Sequence, residues 1–289
     1  MTETTPAAAR YRGRFAPSPT GTLHLGSLTT ALASYLDAIC HKGEWLLRLE
    51  DIDPPREAEG AAAEIITCLN AHGLESTQAP TWQHDHWARY RAICQQLIQS
   101  GHAFYCACPR RQQDELGRCI NHCKYKALAP ENNNLRVTLS VNDLDFVDRV
   151  HGLVNAPPRA FDNAIIWRRE DLPAYLLAVV ADDIDSHITD VVRGDDLLHE
   201  THRQLALYRL LGQMPPRFAH IPVVVNGEGK KLSKQTGAPG LDNTQAFTNL
   251  RQALEHLGLN LGTQVRCENL HSLLDYAIQH WRLPSPRLQ

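Results

Sequence analysis

The stretch RFAPSPTGTLHLGS, residues 14–27, sets a stiff, small-sided turn just ahead of an amphipathic run. Two prolines and two glycines stand among hydroxyl residues, and a single histidine, His24, precedes the run. Upstream, YRGRFA (11–16) reads as a strand; downstream, Leu28, Leu32, Tyr35, Leu36 and Ile39 recur at helical spacing. A strand, a tight turn and a helix in that order present the helix N-terminus to whatever lies in the turn. Unpaired N–H groups and a partial positive charge make such a terminus a good seat for phosphate. Gly21 and Gly26 permit close backbone approach, and His24 can hydrogen-bond phosphate oxygens. Neither G-x-x-x-x-G-K-[ST] nor G-x-G-x-x-G occurs here. Taken alone, the turn reads equally as a phosphate cradle or as a Pro/Gly-rich connection with an incidental histidine.

Outward from the turn, strand and helix patterns alternate. EWLLRLED (44–51) reads as a buried strand ending in acids, and PREAEGAAAEIITCLNAHG (55–73) and HDHWARYRAICQQLIQSG (84–101) as helices closed by glycine. Residues 102–134 break the alternation with short cysteine spacings and the polar PENNN. LRVTLS (135–140), DNAIIWRRE (162–170) and AYLLAVVADD (174–183) read as strands, and DDLLHETHRQLALYRLLG (195–212) as a helix. IPVVV (221–225) reads as a short buried strand before the polar loop NGEGKKLSKQTGAP, and helices follow from about Gln245. Alternating strands and helices with a Gly-rich first βα turn indicate an α/β fold with a Rossmann-like parallel sheet. The expected organisation is two halves of one catalytic domain, 1–101 and 135–240, an insertion at 102–134, and a short helical region at 241–289.

Composition narrows the function classes. Lys and Arg total 29 against 32 for Asp and Glu, a net charge of −3, which excludes a grip on nucleic acid through an overall basic field. MTETTPAAAR has no apolar signal region, and no apolar run approaches the roughly 20 residues that span a bilayer. A cytoplasmic monomer without membrane association is expected. Eight cysteines without an export signal speak against a disulfide scaffold. Four of them, Cys106, Cys108, Cys119 and Cys123, fall in FYCACPRRQQDELGRCINHC as C-x-C, ten residues, then C-x3-C. Four thiolates so close suit one structural zinc ion, tetrahedral and closed; the plainer reading is four reduced thiols in a loop. Cys40, Cys68, Cys94 and Cys267 read as buried or incidental thiols.

A second motif stands far from the first. GEGKKLSKQ (227–235) places lysines on a small-residue loop after a buried strand, where they could close over a polyphosphate. HLGS (24–27) and KLSKQ (231–235) together resemble the paired signatures of class I aminoacyl-tRNA synthetases. RFAPSPTGTLHLG, LRLEDID (47–53), AYLLAVVADDID and VVRGDDLL (191–198) are similar to the glutamyl branch of that class, from about Arg12 to Gln235.

That resemblance implies attack of the glutamate carboxylate on the α-phosphate of ATP, giving glutamyl-adenylate, with Mg2+ accompanying the nucleotide. It assigns ATP to Pro17, His24, Gly26, Ser27, Lys231, Ser233 and Lys234, with His24, Lys231 and Lys234 as the catalytic set. It assigns glutamate to Arg14, Phe15, Ala16, Pro17, Ser18, Glu50, Tyr175 and Arg193. The chemistry agrees: a diacid calls for arginine forks and its ammonium for a carboxylate such as Glu50. Which arginine takes the side-chain carboxylate stays open. The chain departs from the signatures at Ser27, where the family has His, and at Gln235, where it has Ser. Altered phosphate contacts are expected there, with activity kept.

About 54 residues follow Gln235, neither basic nor aromatic enough for a nucleic-acid platform, so no anticodon-binding domain is expected. Catalytic signatures, zinc cysteines and the KLSKQ spelling together resemble the glutamyl-Q tRNA(Asp) synthetases. The resemblance implies glutamate activation without tRNA, then transfer to queuosine at the wobble position of tRNA(Asp). Members of that family often carry Tyr where this chain has Cys119. Charging of a tRNA 3′ end, or a non-catalytic tRNA-binding relative, are the alternative readings. Arg110, Arg111, Lys124 and Lys126 could touch tRNA near the cysteines, although a solvated loop explains them as well.

Overall fold

The strand that feeds the turn, β1 (Arg12–Phe15), sits in the middle of a five-stranded parallel sheet. The computed structural model describes residues 10–284 except 116, 158–160, 226, 228, 230, 233–237 and 262–266. From β1 the chain passes through the turn into α1 (Leu25–Cys40), then β2 (Glu44–Leu49), α2 (Ala61–Ala71), β3 (Thr81–Trp82) and α3 (Trp87–Gln99). Next come β4 (Ala103–Cys106), β5 (Asn134–Ser140), a hairpin of β6 (Phe146–Asp148) and β7 (Gly152–Val154), and β8 (Phe161–Trp167). The parallel pattern resumes with α4 (Tyr175–Asp185), β9 (Asp190–Gly194), α5 (Thr201–Leu210) and β10 (Arg217–Ile221). Two helices, α6 (Ala246–His256) and α7 (Leu270–His280), follow.

The parallel sheet runs β10-β9-β1-β2-β3, so strand order reverses between β1 and β9. In such a sheet the crevice at the carboxyl ends of the strands on either side of that reversal is where ligands bind. Successive strand residues serve opposite faces. Val192 and Ala219 join α1, α2, α6 and α7 in one core, while Val191 and Phe218 join α3, α4 and α5 in another. Strands β4, β5 and β8 form a separate antiparallel sheet in the order β4-β5-β8.

Local chemistry sets the boundaries. His24 caps α1: its Nδ1 accepts from Ser27 N at 3.2 Å, and Ser27 Oγ accepts from His24 N at 2.8 Å. This reciprocal pairing is a capping box. At the other end of α1, Gly43 passes so close to Tyr11 that a Cβ would run into its carbonyl oxygen. Asp37 of α1 takes Tyr11 Oη at 2.5 Å and Trp281 Nε1 at 3.1 Å, which ties the segment after α7 to the residue just ahead of β1.

Three expectations need correction. AYLLAVVADD is α4, a helix, because Leu176 through Asp183 are all buried and no polar face remains to mark the helical period. IPVVV is not a strand: β10 is RFAHI and ends at Ile221, while Val225 makes only an isolated bridge to Lys231. The helix expected from Pro55 begins at Ala61, because Pro54 and Pro55 form a short 3-10 turn and Gly60, at φ 76°, starts the helix from a left-handed conformation. No helix among the described residues is long and apolar enough to cross a membrane.

Candidate active site and metal centre

The loops after β1 and β9 meet at the reversal of strand order and enclose a cavity of about 560 Å³. Arg14, Phe15, Ala16, Pro17, Ser18, His24, Gly26, Ser27, Glu50, Tyr175, Arg193 and Lys231 all line it. Segments more than two hundred residues apart in sequence are therefore brought to one cavity. Ser233 and Lys234 lie outside the described residues, as does Gln235.

His24 stands where the turn meets α1. Because its Nδ1 accepts the Ser27 amide, the ring proton belongs on Nε2, which leaves a donor rather than an acceptor on that side. Gly26 makes this possible: a Cβ there would sit 3.1 Å from the His24 Cε1 and 3.2 Å from its Nδ1. Ser27 accepts from the His24 amide and donates to the His24 carbonyl at 2.8 Å. Its hydroxyl thus has a local task, holding the turn against the helix. Pro17 O accepts Glu50 N at 2.9 Å, fixing the turn to the end of β2.

Around Arg14 and Glu50 the charges are buried and paired. Arg14, 5 % exposed, donates from Nε and Nη2 to the two oxygens of Asp183, each at 3.2 Å. Arg48 reaches the same carboxylate at 2.6 Å and Glu50 Oε1 at 3.5 Å. Burial pushes the Asp183 carboxyl up, but Arg14 and Arg48 outweigh it and hold the group below the usual carboxylate range. For Glu50 burial wins over Arg48 and Arg14, and its pKa is raised. Burial likewise raises Tyr175, at the start of α4. An incoming ammonium beside Glu50 would offset that desolvation, as a counter-charge favours the ionised form.

Two residues that hold the lining side chains escaped the sequence reading. Asp196 Oδ2 holds Lys231 Nζ at 2.6 Å, and Asp183 pins Arg14. The one signal available was an acidic pair inside an apolar run, at Asp182 and Asp183, since buried carboxylates require cationic or hydrogen-bonding partners.

The four cysteines of the insertion converge as their spacing predicted. The Sγ atoms of Cys106, Cys108, Cys119 and Cys123 all lie within 4.8 Å of one another. Cys108 Sγ is 3.7 Å from that of Cys119 and 3.5 Å from that of Cys123. Tetrahedral zinc with Zn–S of 2.3 Å needs S···S separations of about 3.8 Å, so the donor set fits that ion. Burial raises the Cys119 thiol, but the amides of Cys123 and Asn121 overcome it and bring the group down to about 7. Burial, with hydrogen bonds to the Cys108 and Cys119 sulfurs, pushes the Cys123 thiol up to about 12. The cluster is anchored to the antiparallel sheet through Cys119 N to Asn163 Oδ1 at 2.6 Å and Arg136 Nη1 to Gly117 O at 2.8 Å.

Comparison with known proteins agrees with this geometry. Residues 10–269 match the family described as tRNA synthetases class I (E and Q), catalytic domain. The chain is 44% identical over 282 residues to a glutamyl-Q tRNA(Asp) synthetase of Pectobacterium atrosepticum, covering 97% of this chain and 88% of that protein. Proteins of the same name from Vibrio vulnificus and Salmonella typhi are each 42% identical, covering 94% and 95% of this chain and 90% and 93% of their own. Among solved structures, a glutamate-tRNA synthetase from Elizabethkingia anophelis superposes with a TM-score of 0.66 at 26% identity, over 79% of this chain. A glutamate tRNA ligase of Elizabethkingia meningosepticum, in complex with its amino acid, gives 0.65 at 26% identity. The chain spans about half the length of those two structures, 53% and 52%. It is a class I aminoacyl-tRNA ligase and belongs to the glutamyl-Q tRNA(Asp) synthetase family.

Proposed function

We propose that the protein activates L-glutamate with ATP in the absence of tRNA and transfers it to the queuosine of tRNA(Asp). What carries the reading is identity of 42–44% along nearly the whole chain to proteins named for that reaction, joined to a cavity lined by both signature loops. In this reading the His24 Nε2–H and the amides of α1 receive the ATP phosphates, with Mg2+ on the nucleotide. Arg14 and Arg193 take the carboxylates of glutamate, and Glu50 with Tyr175 takes its ammonium. Lys231 and Lys234 meet the charge that builds as the α-phosphate is attacked. Lys231 rests on Asp196 at 2.6 Å. Cys106, Cys108, Cys119 and Cys123 would hold a zinc ion whose contribution is structural, since four thiolates leave no open position.

Glutamate-dependent exchange of pyrophosphate into ATP, measured without tRNA, is expected to be robust. Labelled glutamate should then pass to tRNA(Asp) that carries queuosine and not to the same tRNA without it. Exchange that appears only with tRNA(Glu) would mean 3′-end charging instead, and no exchange under any condition would leave a binding protein. Lys234→Ala should cut exchange by about 10²–10³, the usual consequence of removing one donor aimed at developing charge. Near wild-type exchange in that variant would remove Lys234 from the catalytic set.

A further inference from the structure

A buried chain of polar groups runs from the β6–β7 hairpin through β10 to the cavity wall. Asp148, the last residue of β6, accepts the amides of Val150 at 2.9 Å, His151 at 3.0 Å and His220 at 3.2 Å, so the backbone fixes its position. Its Oδ2 lies 2.7 Å from Nδ1 of His220, and neither residue is more than 1 % exposed. The far side of the ring, Nε2, is 2.9 Å from Arg193 Nε and 3.1 Å from Thr201 Oγ1. An arginine Nε can only donate, so His220 Nε2 must accept and the ring proton must face Asp148. Burial keeps the imidazole neutral: with Arg193 it outweighs Asp148 and lowers the His220 pKa. Arg193 Nη2 donates to Thr201 Oγ1 at 2.8 Å. Its Nη1 is buried and has no hydrogen-bond partner among the described residues, although Arg193 lines the cavity.

We infer that Asp148 and His220 are positioning residues for Arg193: Asp148 sets the tautomer of His220, and His220 with Thr201 clamps one edge of the guanidinium. The two hydrogens of Nη1 are thereby held for a carboxylate of the substrate. A buried guanidinium with one donor group unspent is costly unless a ligand spends it. The alternative, a histidine that merely fills space beneath the hairpin, does not require Nε2 to accept. This inference rests on the reading of Arg193 as a glutamate-binding residue.

The test is titration calorimetry with L-glutamate and, separately, ATP, on the whole chain, with melting temperatures measured in parallel. Asp148→Asn keeps a carbonyl for the backbone amides but turns an N–H toward His220 Nδ1. The ring must then carry its proton on Nε2, pointing at Arg193. This variant and His220→Phe should weaken L-glutamate binding by about tenfold to a hundredfold, the value of one mispaired buried charged group, and leave ATP affinity alone. His220→Gln, whose amide oxygen can still accept from Arg193, should recover most of the affinity lost in His220→Phe. Arg193→Gln provides the reference loss. Weak binding by Arg193→Gln together with wild-type binding by Asp148→Asn and His220→Phe would overturn the positioning role alone. Equal loss of both ligands with a lowered melting temperature would reduce the pair to packing and also overturn it. Wild-type glutamate affinity in Arg193→Gln would defeat the assignment of Arg193 itself. Should His220→Phe fail to fold, Asp148→Asn and His220→Gln decide the matter between them.

Discussion

Replacing Asp183 with asparagine is expected to cost about 3–5 kcal/mol of stability, the range for breaking a buried ion pair by removing one partner. Asp183 is 4 % exposed and receives Arg14 at 3.2 Å and Arg48 at 2.6 Å. Asparagine has nearly the same shape, so the loss is electrostatic: two buried guanidinium groups would share one neutral oxygen. For a chain of this size the melting temperature should fall by about 10 °C. If Arg14 binds the substrate as proposed, L-glutamate affinity should fall as well. The exposed pair Arg89–Asp185, with side chains 48% and 43% accessible, is the control. Asp185→Asn should cost no more than about 0.5 kcal/mol, as solvent screens that pair. Acid adds a signed check. Arg14 and Arg48 hold the native Asp183 carboxyl low, so its stabilisation is complete above the unfolded value of about 3.9 and drains away as pH falls through the lower native value. The stability gap between wild type and Asp183→Asn should therefore begin to narrow below about pH 4 and shrink further as pH falls. A gap that stays constant down to pH 2.5, or a melting temperature equal to that of wild type, would refute the pairing as the source of stability.

The same acidic pair explains much of what could and could not be read from sequence. β1, α1 and β2 were legible because each has a period: a strand feeding a turn, an apolar helical stripe and a buried run. AYLLAVVADD reads as a strand because Leu176 through Asp183 are all buried in α4, and its eight-residue apolar run has no polar face that distinguishes period 3.6 from period 2. β10 was displaced onto IPVVV for the opposite reason. Its own sequence, RFAHI, carries a histidine that is fully buried, and hydrogen bonds to Asp148, 72 residues earlier, and to Arg193 and Thr201 make that burial tolerable. No local pattern records such a partner. The turn, the lysine loop and the four cysteines could be found because their chemistry is written in short spacings. Residues that act through others, such as Asp183, Asp148 and Thr201, have no spacing to betray them.

The largest effect is expected at the cysteine cluster. Cys108→Ser should abolish binding of one zinc ion per chain and lower the melting temperature by about 10 °C or more, because binding energy in a structural zinc site is folding energy, about 10–16 kcal/mol in isolated zinc-finger peptides. Part of that sum is already met here. The insertion is tied to the antiparallel sheet by Cys119 N to Asn163 and Arg136 to Gly117, so the metal has less chain to order than in a free finger. Removal should accordingly loosen residues 106–126 first and leave the parallel sheet, which shares no strand with β4 and β5, folded at moderate temperature. Proton release on zinc binding offers a second readout, since burial keeps Cys106 and Cys123 protonated until a cation displaces their protons. Cys119 sits near neutrality and should contribute less of that release. Cys119→Ser tests the fourth ligand: weakened zinc binding confirms it, and an unchanged zinc content would leave a three-thiolate site. Cys94→Ser, a buried thiol in α3 outside the cluster, should leave the zinc content at one. Full thermal stability of Cys108→Ser at zero zinc would overturn the structural role, for a dispensable metal cannot be what holds four thiols within 4.8 Å of one another.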